Sequence, residues 1–246
     1  MLKIKYISLI VIVCIAFGCE KSSNTATASS TGKGGSLAKF TIVGNYLYAV
    51  SRHFLYTIDI SNPSKPVISG QSPLNFDMET IYPYKNRLFI GSRTGLYIYS
   101  IDTASAPRLI GEAKHGRSCD PVVANDTVSY STLKGNTNCG PATSGLYVYD
   151  VKNLNSPVLK KTLPINEPIG LGMADSALYV CCGNEGMKIY NVTNAYDPLE
   201  KHTITGSNFI DIIPYDNILI CWVKEGIDLY DITNRLHPVF IIKVTN

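Results

Sequence analysis

Side chains able to do chemistry are few in this chain of 246 residues, and they recur at similar places. Arg52, His53, Arg93, His115 and Arg117 fall between short apolar segments of the first half, and Glu185, Lys224 and Glu225 do so in the second half. As a set, arginines and histidines suit an anionic group, such as a carboxylate of a peptide or uronic sugar, because a guanidinium offers paired donors. Catalysis asks for more. Glycoside hydrolysis needs two placed carboxylates, and acyl transfer needs a nucleophile, a base and an orienting acid. His53, His115, Glu185 and Glu225 meet those needs by chemistry only, since no motif links them. No catalytic residue, cofactor or metal is therefore assigned. Cys119 and Cys139 are paired as a disulfide, with a metal site that adds His115 as the alternative; the second lacks a paired ligand spacing.

The elements that position these groups are written in one phrase, repeated five times. A Gly-Leu-Tyr-like start leads to an Asp-Ile-Ser/Thr-Asn-like turn and then to a proline. The copies run Phe54 to Pro66, Gly95 to Pro107, Gly145 to Pro157, Gly186 to Pro198 and Gly226 to Pro238. Their second residues, Leu55, Leu96, Leu146, Met187 and Ile227, are 41, 50, 41 and 40 positions apart. A period near 40 with several short strands per copy predicts a β-propeller. Each copy parses into strands a to d, as in 79–84, 87–91, 96–101 and 107–112. The expected fold is all-β, a five-bladed β-propeller of four-stranded antiparallel blades over residues 37–246. Radial repetition would protect strand edges, and the ring would close by blade five packing on blade one, not by strand exchange.

In this parse the d–a and b–c loops open on one face. They bring Arg52, His53, Arg93, His115, Arg117, Glu185 and Lys224 there, with Asn75, Asp77, Glu167, Asn208 and Glu225. The Asp, Asn or Ser closing strand c reads as a turn-former that satisfies backbone groups, and the proline as the start of strand d. The third copy is longer because residues 134–144 are inserted between its b and c strands. That insertion holds Cys139, which can meet Cys119 on the same face. Closing a loop of about 20 residues stabilises by roughly 3 kcal/mol. Cys181 and Cys221 appear at one position of strand b in adjacent copies, with Ala49 there in the first, and read as small core residues. Cys182 points to the opposite face from Cys181.

The first residues read as an export address. Lys3 and Lys5 precede an apolar run, Ile7 to Phe17, too short to span a membrane. Ala16-Phe17-Gly18-Cys19 resembles a bacterial lipobox, which implies a signal peptide over 1–18 and lipid attachment at Cys19. Residues 19–36 are polar and small and read as a flexible tether. Without Lys3 and Lys5 the net charge falls from +3 to +1 with no basic run, which argues against nucleic-acid binding.

Gly95-Leu96-Tyr97-Ile98-Tyr99-Ser100-Ile101, Gly145-Leu146-Tyr147-Val148-Tyr149-Asp150-Val151 and Gly226-Ile227-Asp228-Leu229-Tyr230-Asp231-Ile232 resemble the central strand and turn of the LVIVD-repeat family. The resemblance implies an exported, often lipid-anchored bacterial propeller, and no known reaction. Two functions follow as expectations. One is a non-catalytic binding or scaffolding module at the cell envelope, anchored at the outer membrane, with a protein or glycan partner. The other is a propeller hydrolase or lyase acting on extracellular polysaccharide or peptide.

Overall fold

The computed structural model describes residues 34–74, 77–115, 121–135 and 143–245. It is all-β, a five-bladed β-propeller. Blade 1 holds β1 (Phe40–Val43), β2 (Tyr46–Val50), β3 (Phe54–Asp59) and β4 (Val67–Pro73). Blade 2 holds β5 (Met78–Tyr84), β6 (Arg87–Ser92), β7 (Gly95–Ser100) and β8 (Arg108–Lys114). Blade 3 holds β9 (Val122–Ala124), β10 (Val128–Leu133), β11 (Gly145–Asp150) and β12 (Val158–Pro164). Blade 4 holds β13 (Leu171–Ala174), β14 (Ala177–Cys181), β15 (Met187–Asn191) and β16 (Leu199–Ile204). Blade 5 holds β17 (Phe209–Tyr215), β18 (Ile218–Val223), β19 (Gly226–Asp231) and β20 (Val239–Thr245). Each blade is one antiparallel sheet of four consecutive strands, so no strand is exchanged between blades.

The repeated phrase is structural in all five copies. The Asp59, Asp150, Asn191 and Asp231 side chains each accept the N–H two residues on, at 2.7–3.0 Å, and Ser100 accepts that of Asp102 at 3.1 Å. This is the local turn that short polar side chains favour. The glycine opening the phrase answers a close approach. A Cβ at Gly95, Gly145, Gly186 or Gly226 would lie 2.0–2.5 Å from the strand-d carbonyl oxygen beside it.

Alternation along the strands gives each blade two apolar faces, and consecutive blades bury one against the other. A forward face such as Tyr48, Val50 and Leu55 of blade 1 meets the rear face of blade 2, including Ile81, Leu88 and Tyr99. The same pairing joins blades 2 and 3, 3 and 4, and 4 and 5. A polar tie accompanies three of these four seams. The hydroxyls of Tyr48, Tyr130 and Tyr179 donate to the carbonyls of Ala104, Ala195 and Arg235 in the next blade, at 2.7–2.8 Å. Phe89 holds the corresponding place in blade 2.

Two expectations are corrected. Blade 5 does not pack on blade 1 as the others pack. Phe40 of β1 is 62% exposed, whereas Leu171 and Ile212, at the same register in blades 4 and 5, are at most 1% exposed. The two ends meet at the axis instead, through residues 34–38, and the fold thus reaches into the segment read as tether: Gly35 and Ser36 are buried. The second correction concerns cysteines. The blade 4 b–c loop is one residue longer than that of blade 5, so Cys181 and Cys221 are not equivalent. Cys181 pairs with Met187 and lies on the forward face of blade 4, and Cys221 pairs with Asp228 and lies on the rear face of blade 5. Both enter one buried cluster, and Cys182 enters the cluster on the other side of blade 4.

Replacing Tyr130 or Tyr179 by Phe removes one inter-blade hydrogen bond and little else. Each change should lower unfolding free energy by about 1 kcal/mol in denaturant titration, with the slope unchanged. No loss in either variant would remove these hydroxyls from the account of the seams.

Candidate functional site

Two cavities open along the propeller axis. One, of about 590 Å³, lies at the mouth formed by the b–c and d–a loops. Its floor is apolar (Leu37, Val50, Met78, Pro121 and Ile169) and its rim is charged. The other, of about 560 Å³, lies at the a–b turns, among Tyr82, Tyr84, Asn125, Met173 and Pro214. Residues 34–39 contribute to both, so this segment lies between them.

The sequence-expected residues divide in the structure. Arg52 and Arg93 both line the first cavity, together with Asp77. Arg93 Nε donates to Glu79 Oε1 at 3.0 Å, and its Nη1 lies 3.3 Å from Asp77 Oδ2. Arg52 Nε is 3.9 Å from Asp77 Oδ1 and its side chain is mostly in solvent. Lys39 and Lys134 complete the cationic rim, Lys134 in an ion pair with Glu167. Three of the four rim cations, Arg52, Arg93 and Lys134, thus face carboxylates. His53 is exposed beside Arg52 and does not line the cavity. The His115 ring is 6.4 Å from that of Tyr147. Glu185 and Lys224 are exposed on blades 4 and 5. Glu225 lines a separate recess of about 380 Å³ with Asn184, Ser207, Asn208 and Lys243. Residues 1–33, including Cys19, and Asn75, Arg117, Cys119 and Cys139 lie outside the described residues.

Sequence reasoning missed Glu79, Lys39 and Lys134. Glu79 sits at a β-bulge, between Met78 paired with Ser92 and Thr80 paired with Gly91, so strand alternation carried no signal for it. Sequence reasoning also missed a buried carboxylate at the axis. Asp211 of β17 accepts the Ser36 hydroxyl at 2.8 Å and the Leu37 N–H at 3.1 Å. Ser36 Oγ in turn accepts the Leu171 N–H of β13 at 2.8 Å, and Ala38 C=O accepts the Ile81 N–H of β5 at 2.8 Å. One short segment therefore ties blades 1, 2, 4 and 5. Gly35 and Gly170 leave room for the carboxylate: a Cβ on either would come within 2.3 Å of it. Burial pushes the Asp211 carboxyl above its ordinary value, against the hydrogen bonds from Ser36 and Leu37 that lower it.

Among the described residues Cys181, Cys182 and Cys221 are free and buried. Burial raises all three thiols, Cys182 to about 12. A thiolate is the reactive form, so these positions are core.

Comparison with known proteins agrees with this architecture. The LVIVD repeat model matches residues 34–72, which are blade 1 and the axial segment before it. With five blades in sequence, the chain fits the LVIVD-repeat propeller family. No curated protein matches the chain. Among solved structures, a functionally unknown protein from Desulfotomaculum acetoxidans is 12% identical over 82% of this chain and 67% of its own, with a TM-score of 0.66. BamB from Moraxella catarrhalis is 10% identical over 88% of this chain and 64% of its own, with a TM-score of 0.59. The computationally designed Ika8 protein is 12% identical over 83% of this chain and 60% of its own, with a TM-score of 0.60. These likenesses show the fold alone. The chain spans about 60–67% of the length of these three structures.

Two outcomes are expected. Asp211→Ala strands the Ser36 hydroxyl and the Leu37 N–H, and should cost about 1–3 kcal/mol. Because the folded carboxyl is raised, its contribution is full below the unfolded value of 3.8 and is lost as pH rises through the folded value. The stability gap between parent and variant should therefore be widest near pH 4 (about the ordinary carboxyl value) and narrow upward. A gap that widens with pH would contradict this. Separately, a thiol reagent at neutral pH, followed peptide by peptide, should label Cys181, Cys182 and Cys221 only after unfolding; labelling in the folded chain would contradict their core placement.

Proposed function

We propose that this five-bladed propeller with an LVIVD repeat is a non-catalytic binding or scaffolding module, lipid-anchored through Cys19 at the outer membrane. Its ligand is an envelope protein or glycan, and the ligand site is the axial cavity framed by Arg52, Asp77, Glu79 and Arg93. The observation that carries this reading is the way Arg93 is held between Asp77 and Glu79 above an apolar floor. Charges fixed against one another are poor at moving protons but good at presenting oriented donors and acceptors. A volume near 590 Å³ falls in the range of small-molecule and peptide-tip pockets, about 300–1,000 Å³. Such a site favours a neutral or zwitterionic group with an apolar body over a simple anion, because both arginines already face carboxylates.

The anchor rests on the sequence: an apolar leader, Cys19 after a small residue, and a polar tether. Stable membrane retention then follows from the acyl chains, each buried methylene adding about 0.8 kcal/mol.

The test is affinity purification of the tagged full chain from gently solubilised membranes, identifying proteins and glycans, beside Arg93→Ala and Cys19→Ala. A retained protein or intact glycan, reduced at least 10-fold by Arg93→Ala (about 1.4 kcal/mol), is expected. Cys19→Ala should release the chain to the soluble fraction and abolish labelling by a fatty-acid analogue. A bait that retains no partner, or a purified domain that cleaves polysaccharide or peptide substrates, would overturn the binding-module reading. Membrane retention of Cys19→Ala would overturn the anchor.

A further inference from the structure

The forward face of blade 5 has no blade on it. Cross-strand register places Ile220, Trp222, Ile227, Leu229, Ile242 and Val244 on that one face. Trp222 is 55% exposed, where Val50 and Cys181 at the same place in blades 1 and 4 are 7% and 0% exposed. Ile227 is 41% exposed, against 0% for Leu55, Leu146 and Met187. The rear face of blade 1 is the other orphan. Register aligns Leu47, Ile58 and Ile68 there, beside Phe40, and Ile68 is 64% exposed. Soluble proteins rarely leave contiguous apolar surface of this kind uncovered.

These two walls are the complementary halves of an interface that the chain builds four times between its own blades. We infer that the blade 5 wall of one chain packs on the blade 1 wall of a second copy, head to tail. Among the described residues of one chain the two ends are joined at the axis, through Ser36, Leu37 and Asp211, and neither wall is covered. The tyrosine tie of three of the other seams has no counterpart here either, because Ile220 stands where Tyr48, Tyr130 and Tyr179 carry a hydroxyl. A second copy supplies the rear-face pattern that fits a forward face, as blade 2 does for blade 1. An interface of two different patches is heterologous, and it generates a closed ring or a growing chain according to its angle.

Trp222 is the only tryptophan in the sequence, so it reports on this wall alone. The test uses the full chain in a non-ionic detergent, with mass by light scattering and tryptophan emission across a dilution series. The protein component should have the mass of two chains or more at high concentration, and Trp222 emission should shift to the blue with the same midpoint. Trp222→Glu and Phe40→Asp change exposed side chains, and circular dichroism and melting should match the parent. Each variant alone should self-associate roughly 10-fold or more weakly, as for loss of a central apolar anchor. Mixed, they should associate one to one, because Phe40→Asp keeps its blade 5 wall and Trp222→Glu keeps its blade 1 wall. A single-chain mass at every concentration would overturn the inference, whether Trp222 is then buried by closure within the chain or stays in water. Association of Phe40→Asp alone at parental strength would show a contact between like ends and overturn it as well.

Discussion

A four-stranded antiparallel blade with apolar side chains on both faces is satisfied only when another blade covers each face. That constraint organises this chain. One blade alone would leave Tyr130 and Val148 on one side, and Tyr149 and Val151 on the other, in water. The sequence meets the constraint by repetition, so that each forward face finds a rear face of the same design some 40 residues on. Glycine at the start of strand c and the side-chain-capped turn at its end hold the strands of a blade close enough to present those faces flat. The tyrosine hydroxyls then fix one blade against the next by a polar bond at the rim of an apolar contact.

A row of such blades has two ends, and this chain joins them by a different chemistry. Residues 34–38 cross the axis and bond Asp211, Leu171 and Ile81, which belong to three different blades. A buried carboxylate is costly unless it is paired or hydrogen-bonded. Here two donors from the segment meet Asp211, so burial and order reinforce one another. The same segment, with Lys39 after it, separates the two axial cavities and lends Leu37 and Lys39 to the one framed by Arg93. The candidate binding site and the tie between the ends therefore share one element, and loosening the tie would also reshape the cavity floor.

The repeat made the blades legible because a strand-turn-strand phrase of fixed length leaves few ways to pair. Asp59, Asp150 and Asp231 were readable as turn acceptors since their role is local, two residues wide. The loop face was readable too, and Arg52, Arg93 and Asp77 did meet there. Legibility failed where a contact depends on distance in sequence or on a one-residue shift. Ser36 and Asp211 are 175 residues apart, with only a lone acid in the apolar strand Phe209–Tyr215 as a signal. One extra residue in the loop after Cys182 put Cys181 and Cys221 on opposite faces, since strand side chains alternate with a period of two. The open seam was hidden for another reason. Whether one wall meets another is a property of packed pairs that no single residue shows.

The tie at the axis is most directly tested by native-state hydrogen exchange, residue by residue. The amides of Leu37 and Leu171 donate to Asp211 and to Ser36 in a buried setting, and both should exchange as slowly as the central strands of blades 4 and 5. Matching protection would show that the segment before the first blade is part of the core, opening only when those blades open. Exchange of Leu37 at the rate of a free loop would contradict the account, because nothing else among the described residues would then hold the two ends of the propeller together.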